Sequence, residues 1–227
     1  MTTLTKFQIY DLLNRPRPLW LVKIDLSDAV LFWVDLSECQ LAMANLSKAD
    51  LSWANLAGAD LRQADLTMAN LFEAHLQRAI LNEAKLSRSN LTRVDLGKAE
   101  LVDAIAVEAN FSRANLSKAI MMRANLNNGL LNRADLSKAN LTNANLSGAD
   151  LTNANLFDAN LTGANFRNAD LFRADLTAAN LTQADLSDAN LLGADLTDAN
   201  LEGATLTGAI MPDGTHNKPA SAKSGGG

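Results

Sequence analysis

The stretch ADLSWANLAGADLRQADLTMANL, residues 49–71, repeats one short phrase. A small residue is followed by a short polar residue, a leucine and two variable positions, and the leucine returns at every fifth residue. Five residues advance an α-helix by about 500°, so successive leucines would spiral around the helix axis instead of forming one apolar stripe. The period therefore excludes a helix.

The same register continues without insertion from residue 24 to residue 213. With the leucine position called i, these 190 residues form 38 units of five, in which leucine holds position i in 33 units and alanine holds position i−2 in 32. A strand places positions i−2 and i on one face, but it sends the next leucine to the opposite face. The chain must therefore turn once in every unit. This predicts a parallel β-solenoid with alanine and leucine inside and coils stacked about 4.8 Å apart.

Aspartate or asparagine occupies position i−1 in 27 of the 38 units. Both residues adopt unusual backbone angles readily, and their side chains bond to nearby backbone N–H groups. We therefore interpret these side chains as turn-forming residues and not as catalytic or metal-binding groups.

The sequence ADLSKANLTNANLSGAD, residues 134–150, resembles the repeat A(D/N)LXX of the pentapeptide-repeat family. The resemblance extends over residues 24–213. It implies an all-β fold, a right-handed four-sided parallel β-helix (solenoid) with four units, or 20 residues, in each coil. On that basis the 38 units make about 9.5 coils and a rod about 45 Å long at the spacing of neighbouring strands.

The two ends of such a rod need caps, because a solenoid end exposes its apolar core and unpaired strand edges. Residues 1–23 form the predicted N-terminal cap, with a short helix from about Lys6 to Asn14. The apolar side chains of this helix, together with Leu19, Trp20 and Leu21, are expected to cover the first coil.

At the other end, Pro212 cannot donate to a strand ladder, and the polar, glycine-rich residues 214–227 are predicted to be disordered. No helix is predicted to seal the last coil. Two solutions remain open for the exposed edge near Ile210 and Met211: a homodimer through the C-terminal coil, or a cap formed by the tail.

Two positions inside the rod depart from the repeat. Ala106 stands at a leucine position, where a cavity would cost about 3–5 kcal/mol in isolation, and Phe111 in the next unit is expected to fill the space. Cys39, the only cysteine, takes an alanine position. It cannot form an intramolecular disulfide, which agrees with a reducing compartment.

The filled interior leaves no room for a ligand pocket, so function must lie on the outer faces or the ends. The only histidines are His75 and His216, and no histidine metal cluster or cysteine–histidine pair is predicted. No apolar run reaches the length of about 18 residues that a membrane span requires, and the N-terminus has no secretory pattern. We therefore expect a cytoplasmic protein that is not an enzyme, binds no cofactor or metal and does not enter a membrane.

Residues 20 positions apart stack on one side of the rod, so the outward positions form columns. One column at position i+2 contains tryptophan at residues 33 and 53, glutamate at 73 and arginine at 93, 113 and 133. The next column contains arginine at residue 78 and lysine at 98, 118 and 138. Large apolar residues, Met43 and Met68 among them, take outward positions in the first coils. Two alternatives to a binding role remain open. The basic residues can form a solvated face that keeps the protein soluble, and the N-terminal segment can fold back over the aromatic rings. The candidate partner-binding residues are Phe32, Trp33, Trp53 and Phe72 in the apolar group and Arg78, Arg93, Lys98, Arg113, Lys118, Arg133 and Lys138 in the basic columns.

Charge is uneven along the chain. Residues 1–72 carry a formal net charge of −2, residues 73–138 carry +3 and residues 139–227 carry −6. Within the pentapeptide-repeat family, the quinolone-resistance group acts as DNA mimics that bind gyrase, and the acidic C-terminal third is similar to that group in charge. Unlike that group, this chain has a basic middle and no predicted C-terminal helix.

The sequence therefore favours a non-enzymatic structural or interaction scaffold that acts through its outer faces by binding a protein partner of unknown identity. Direct nucleic-acid binding is not expected. The alternative is a DNA-mimic protein that binds gyrase or another DNA-binding protein through the acidic C-terminal third.

Overall fold

The computed structural model describes Phe7, Gln8, Asp11, residues 14–16 and residues 18–217. From residue 20 onward each unit has the same form: one residue in a β-bridge, a connecting residue, two turn residues and another connecting residue. Each bridging residue pairs in parallel with the residue 20 positions later, and these parallel bridges run without a gap from residue 20 to residue 210. Four units therefore form one coil, as the resemblance implied, and each of the four sides is a column of single bridging residues.

Three backbone hydrogen bonds join each unit to the next coil, as the unit that begins at Leu46 shows. Leu46 donates to the carbonyl of Asp65 at 2.7 Å, Lys48 donates to Thr67 at 2.9 Å, and Asp65 donates back to Ala44 at 2.9 Å. In two of the three bonds the N–H donor thus lies in the earlier coil and the carbonyl acceptor in the later one. The last coil is consequently left with more unpaired N–H donors than carbonyl acceptors.

The turn in each unit is of type II, because only its second central residue has a positive φ angle. Ala49 donates to the carbonyl of Leu46 at 3.1 Å, and Lys48 between them has a φ of 59°. A positive φ recurs in 38 consecutive turns from residue 23 to residue 208, in 32 of them at a residue other than glycine. The prediction that the aspartates and asparagines at i−1 adopt the unusual angles is therefore wrong, since the left-handed residue stands three places later.

Position i−1 stabilises the turns through its side chain. The Oδ1 atom of Asp25 accepts hydrogen bonds from the backbone N–H of Ser27 at 3.1 Å and from the Ser27 hydroxyl at 2.7 Å. It also accepts a bond from Nδ2 of Asn45 in the next coil at 3.0 Å. The predicted bonds to nearby backbone N–H groups are thus confirmed. The side chains also form ladders along the rod, as between Asn165 and Asn145.

The leucines at i and the alanines at i−2 form one continuous core and are buried over almost the whole rod. Ala106 and Phe111 are both buried in the same coil, in line with the compensation expected from the sequence. Cys39 is fully buried, and its Sγ accepts a hydrogen bond from the backbone N–H of Leu19 at 3.4 Å. Its thiol is therefore a packing group at the N-terminal end of the core.

The N-terminal end differs from the prediction in two ways. The first regular turn begins at Leu21, so the repeat starts before the predicted boundary at residue 24. Leu19 and Leu21 are buried as expected, but Trp20 is 78 % exposed. Trp20 takes a bridging position and pairs with Gln40, and side chains at bridging positions point away from the core.

The predicted N-terminal helix from about Lys6 to Asn14 falls largely outside the described residues. Phe7, Gln8 and Asp11 are helical, and Asn14 lies in a turn. The helix as a whole therefore stays a prediction.

The C-terminal end turns back on itself as a short hairpin. Ile210 pairs antiparallel with His216, and Met211 donates to the carbonyl of Thr215 at 2.7 Å. This hairpin contains the first residues of the tail 214–227 that the sequence predicts to be disordered, and residues 218–227 lie outside the described residues.

Lysine substitutions test which positions point inward. Leu146→Lys buries an unpaired ammonium group, and we expect it to lower the free energy of unfolding by more than about 4 kcal/mol. Asn143→Lys is expected to change it by less than about 0.5 kcal/mol, because residue 143 is an exposed turn residue and Lys98 occupies the same turn position. Thermal melts followed by circular dichroism measure both effects, and equal stabilities would contradict the assigned core.

Acid unfolding tests the contribution of a buried carboxylate. Asp60 is 5 % exposed, and Arg62 donates to its Oδ1 at 2.9 Å and to its Oδ2 at 2.6 Å. These bonds lower the pKa of Asp60 in the folded state. The stabilisation is therefore complete above the unfolded pKa of about 3.9 and is lost as the pH falls through the folded value.

We expect Asp60→Asn to be less stable than the parent chain at pH 7 and the difference to shrink below about pH 4. Asp65→Asn is the matched control, because Asp65 takes the same bridging position in the next unit and forms no ion pair within the described part of the chain. Urea unfolding at neutral and acidic pH gives the measurement. A stability difference for Asp60→Asn that does not change with pH would contradict this account.

Candidate interaction surfaces

The interior of the rod offers no site. Its core positions are filled, and among the described residues no three histidine, cysteine, aspartate or glutamate side chains lie close enough together to hold a metal ion. His75 is exposed and bridges Asn55 and Asp95 in the neighbouring coils, and its Nδ1 lies 3.4 Å from Nε2 of Gln77. His75 therefore takes a bridging position and not a turn.

The turns form the four corners of the rod, and the bridging residues form its four sides. We call the column of turn residues 33, 53, 73, 93, 113 and 133, together with the residue before each, the tryptophan corner. The column of turn residues 78, 98, 118 and 138 is the lysine corner. The side between these two corners, with the bridging residues 75, 95, 115 and 135, is the basic face.

An aromatic cluster occupies the N-terminal part of the tryptophan corner. The rings of Trp33 and Trp53 are stacked, with centroids 5.5 Å apart and planes inclined by 9°. Phe72 meets Trp53 edge to face, with centroids 5.4 Å apart. Trp33 is nevertheless 68 % exposed and Phe32 is 55 % exposed. Coil stacking therefore brings Trp33, Trp53 and Phe72 into ring contact, and Phe32 lies exposed next to Trp33 at the same corner.

The two methionines of the predicted apolar group are separated from this cluster. Met43 is 48 % exposed and Met68 is 53 % exposed, but each stands at one of the two other corners of the rod. They are outward residues, as predicted, and do not belong to the aromatic surface.

Glu73 connects the aromatic cluster to the first arginine of the tryptophan corner. Its Oε2 accepts a hydrogen bond from Nε1 of Trp53 at 3.1 Å, and its Oε1 lies 2.8 Å from Nη1 of Arg93. The bond from Arg93, followed by that from Trp53, lowers the pKa of the Glu73 carboxyl. The indole of Trp53 and the guanidinium of Arg93 are thus held by one carboxylate.

The other basic residues predicted for the site form no ion pair within the described part of the chain. At the two remaining corners of the same coils the cations are neutralised: Arg88 lies 2.8 Å from Glu108, and Arg123 lies 2.6 Å from Asp103. The guanidinium of Arg123 also lowers the pKa of Asp103. Among the described residues of these coils, the cations without an ion pair are therefore concentrated beside the basic face, with Lys85 on the opposite side as the exception. Those beside the basic face are Arg78, Lys98, Arg113, Lys118, Arg133 and Lys138.

The carboxylates on the basic face accept hydrogen bonds from neighbouring turns and coils. Asp95 accepts hydrogen bonds from the N–H of Gly97 at 3.0 Å, from Asn115 at 2.8 Å and from Gln77 at 2.5 Å. Asp135 accepts bonds from its own turn and from the next coil. A groove of about 370 Å³ lies beside Asp95. Its lining residues are Gln77, Arg78, Asp95, Gly97, Lys98, Asn115 and Ser117.

The acidic C-terminal third uses many of its carboxylates structurally. Five of its aspartates stand at bridging positions and accept the N–H of the residue two places later: Asp150, Asp170, Asp175, Asp185 and Asp195. Asp158, Asp188 and Asp198 take the exposed left-handed turn position in this region, and Glu202 and Asp213 are also exposed turn residues. Much of the acidity predicted as a DNA-like surface thus belongs to the side-chain bonds that hold the turns.

The C-terminal end of the rod is more open than the N-terminal end. Leu26 and Leu31 in the first coil are each 1 % exposed, whereas the leucines of the last coil are only partly buried. In the described chain, five N–H groups of the last coil donate to no backbone carbonyl, although the same groups are bonded in every earlier coil. They are those of Leu196, Asp198, Leu201, Gly203 and Leu206.

Comparison with known proteins places this architecture in a family. A model of pentapeptide repeats matches the chain in eight overlapping copies, which extend from residue 24 to residue 211. The chain belongs to the pentapeptide-repeat family. The predicted fold class, a right-handed four-sided β-helix, is confirmed by this match and by the structural relatives.

This pentapeptide-repeat protein is similar to HetL of the cyanobacterium Nostoc sp. strain PCC 7120, a pentapeptide repeat protein involved in heterocyst differentiation regulation. The two are 37 % identical over 95 % of this chain and 100 % of HetL, with a TM-score of 0.78. QnrB1, a plasmid-mediated fluoroquinolone resistance protein, is 19 % identical over 84 % of this chain and 92 % of its own, with a TM-score of 0.47. A search among curated proteins finds no match.

Some surface residues of this pentapeptide-repeat protein were not predicted. Val30 is 61 % exposed beside the tryptophan corner, and the signal for it is an apolar residue at a bridging position that usually holds aspartate or asparagine. Glu73, as the link between Trp53 and Arg93, has no comparable sequence signal. No helix among the described residues has both the length and the apolar character needed to cross a membrane.

Proposed function

We propose that this pentapeptide-repeat protein is a non-enzymatic scaffold that binds a protein partner through the tryptophan corner and the adjoining basic face. The aromatic cluster carries the proposal: Trp33 and Trp53 stack on each other, yet Trp33 remains 68 % exposed. Exposed clusters of large apolar side chains mark interaction sites. Tryptophan and arginine are also the residues that contribute most to binding energy at protein interfaces.

The cluster is ordered before any partner arrives. Trp53 is fixed by stacking on Trp33, by the edge of Phe72 and by its bond to Glu73. Side chains that are already immobile lose little conformational entropy on binding, so more of the contact energy remains as affinity. A rigid aromatic surface beside unpaired arginines therefore suits a specific protein contact better than a surface kept charged for solubility.

The likeness to HetL supports a regulatory role for this binding. HetL is involved in heterocyst differentiation regulation, and we propose that this protein also acts in regulation, by occupying a partner and not by catalysis. We place this activity in the cytoplasm, where its single cysteine would remain reduced.

Asparagine substitutions at the two tryptophans test the proposal, since Asn143 and Asn153 already occupy the same left-handed turn position. We expect the Trp33→Asn, Trp53→Asn double variant to remain folded, to lose about 1 kcal/mol of stability and to lose a protein that the parent chain retains from native lysate. Met43→Asn, Met68→Asn is the matched control, because it removes two exposed apolar side chains from the same turn position in neighbouring coils.

A retained protein that is lost equally from both double variants would contradict the proposal. The same experiment distinguishes the scaffold from the second candidate function, a DNA mimic, which is favoured by the exposed Asp158, Asp188 and Asp198. In that case gyrase or another DNA-binding protein would be retained, the tryptophan substitutions would leave it bound, and added salt would release it.

The open C-terminal end carries a separate proposal, that a second copy of the chain covers it. The partly exposed leucines and the unpaired N–H groups of the last coil form an apolar strand edge of the kind that pairs with another chain. A two-fold contact is the commonest way to close such an edge. The competing solution is the hairpin at Ile210 and His216 acting with the remaining tail as the cap.

Light scattering and small-angle scattering on the full chain and on a chain that ends at Asn217, which keeps the hairpin, distinguish these solutions. We expect a dimer mass for both chains, a particle about twice as long as the 45 Å rod, and a monomer for Leu201→Glu, whose carboxylate would be buried in the contact. A monomeric mass for both chains at high concentration would contradict the dimer. A dimer that appears only after truncation would identify the tail as the cap.

A further inference from the structure

The geometry points to a short acidic peptide as the segment of the partner that the basic face binds. We propose a stretch of about seven residues in extended conformation, with a large apolar side chain at one end and carboxylates along the rest. Its apolar end lies on the aromatic cluster, and its carboxylates lie between the tryptophan corner and the lysine corner. This inference rests on the proposed function, since it concerns the same surface.

The distribution of charge identifies the sign of the ligand. Among the described residues, six of the seven predicted cations at the two corners of this side form no ion pair, and only Arg93 is bound, to Glu73. The cations at the two opposite corners of the same coils are matched by Glu108 and Asp103. Like charges stacked about 4.8 Å apart repel one another in the free protein. An incoming carboxylate removes that repulsion and gains charge-assisted hydrogen bonds, so this side favours anions over any neutral segment.

The apolar end of the ligand follows from the continuity of the tryptophan corner. The aromatic cluster occupies its first three coils, and Glu73 joins the cluster to Arg93, where the basic stretch begins. A ligand that runs along this corner therefore meets aromatic rings first and cations afterwards. Only a segment that combines an apolar side chain with carboxylates matches both parts.

The combined length of the aromatic cluster and the basic stretch limits the ligand. Residues 33 to 133 of the tryptophan corner span five coil intervals, or about 24 Å, which about seven extended residues cover. Beyond this point the tryptophan corner carries one more cation, Arg173. The rest of this side is acidic, with Asp175 and Asp195 at bridging positions and Asp158 and Asp198 at the next corner. These carboxylates repel a polyanion that continues past the basic stretch. The surface therefore suits a short acidic peptide and not a nucleic-acid strand.

The groove beside Asp95 gives one carboxylate a defined place. Arg78 and Lys98 line this groove, and Gly97, which also lines it, contributes no side chain. Asp95 itself is engaged by three hydrogen bonds from Gly97, Asn115 and Gln77, so its oxygens are held within the fold. A ligand carboxylate at this point therefore meets two cations, while the nearest protein carboxylate is already satisfied.

A synthetic peptide of one phenylalanine followed by six aspartates, labelled with a fluorophore, tests this inference on the full chain. We expect it to bind, to shift the emission of Trp33 and Trp53, and to bind more weakly as salt rises. Lys98→Gln, Lys118→Gln should weaken binding by about fivefold or more, and glutamine is tolerated there because Gln63 and Gln183 occupy the same turn position.

The matched control is Arg88→Gln, Arg123→Gln, which removes the same charge from the same turn position at the opposite corners. We expect it to change the affinity by less than about twofold. Equal weakening by both double variants would overturn the inference, because it would reveal attraction to net charge alone. A peptide with asparagine in place of aspartate should not bind.

Other occupants give other outcomes. An oligothymidylate of eight nucleotides that binds more tightly than the peptide would overturn the inference in favour of a single-stranded nucleic acid. If the chain self-associates at low salt and peptide binding then disappears, the inference is also overturned. In that case the basic face binds the acidic C-terminal third of a second copy. If the peptide fails to bind while the tryptophan variant still loses its protein partner, the acidic-peptide inference is wrong and the scaffold proposal stands.

Discussion

The left-handed residue in each turn is the constraint on which the whole rod depends. A positive φ at the second turn residue bends the chain around one corner of the rod, and this returns the next leucine to the core. Residues other than glycine adopt this conformation in 32 of the 38 turns, at a cost on the order of 1 kcal/mol each. Each such residue before the last coil donates its N–H to the next coil, as Lys48 does to Thr67 at 2.9 Å, and many bridging side chains add bonds to the same turn, as that of Asp25 does. The strain therefore persists only because neighbouring coils hold it, which makes stability a property of the stack and not of the single unit.

The repeat has no insertion. The side chains above and below a residue are therefore those of the residues 20 positions before and 20 positions after it. Residues in one column therefore interact with one another. Two tryptophans form a stacked pair, and asparagines form a hydrogen-bonded ladder. A row of like charges accumulates repulsion in the same way. The rod relieves this at two corners by alternating sign, as with Arg88 and Glu108. The unrelieved basic stretch is therefore a feature of the surface that the fold itself does not require.

The direction of the backbone makes the two ends unequal. Since two of every three bonds between coils run from the earlier coil to the later one, the C-terminal edge is rich in N–H donors. The same end leaves its last leucines only partly buried, while the first coil is closed over Leu26 and Leu31. A partner for the C-terminal end must therefore cover apolar surface beside polar donors. A partner for the tryptophan corner meets aromatic rings beside cations, so the two surfaces select different chemistry.

The sequence by itself determined the period and the inward leucines and alanines, whereas the columns of aromatic and basic residues also depend on the number of units in a coil. Burial is the physical reason, because a leucine at every fifth residue can stay in one core only if the chain turns once per unit. The number of units in a coil came from resemblance to a family, since the period alone does not set it. The tertiary structure decided which residue carries the left-handed angle, that Trp20 faces water, and that Ile210 pairs with His216. It also decided that Glu73 joins Trp53 to Arg93, while Lys98 forms no ion pair with any described residue. These outcomes depend on hydrogen bonds and side-chain reach between coils, which a pattern of residue types along one chain does not contain.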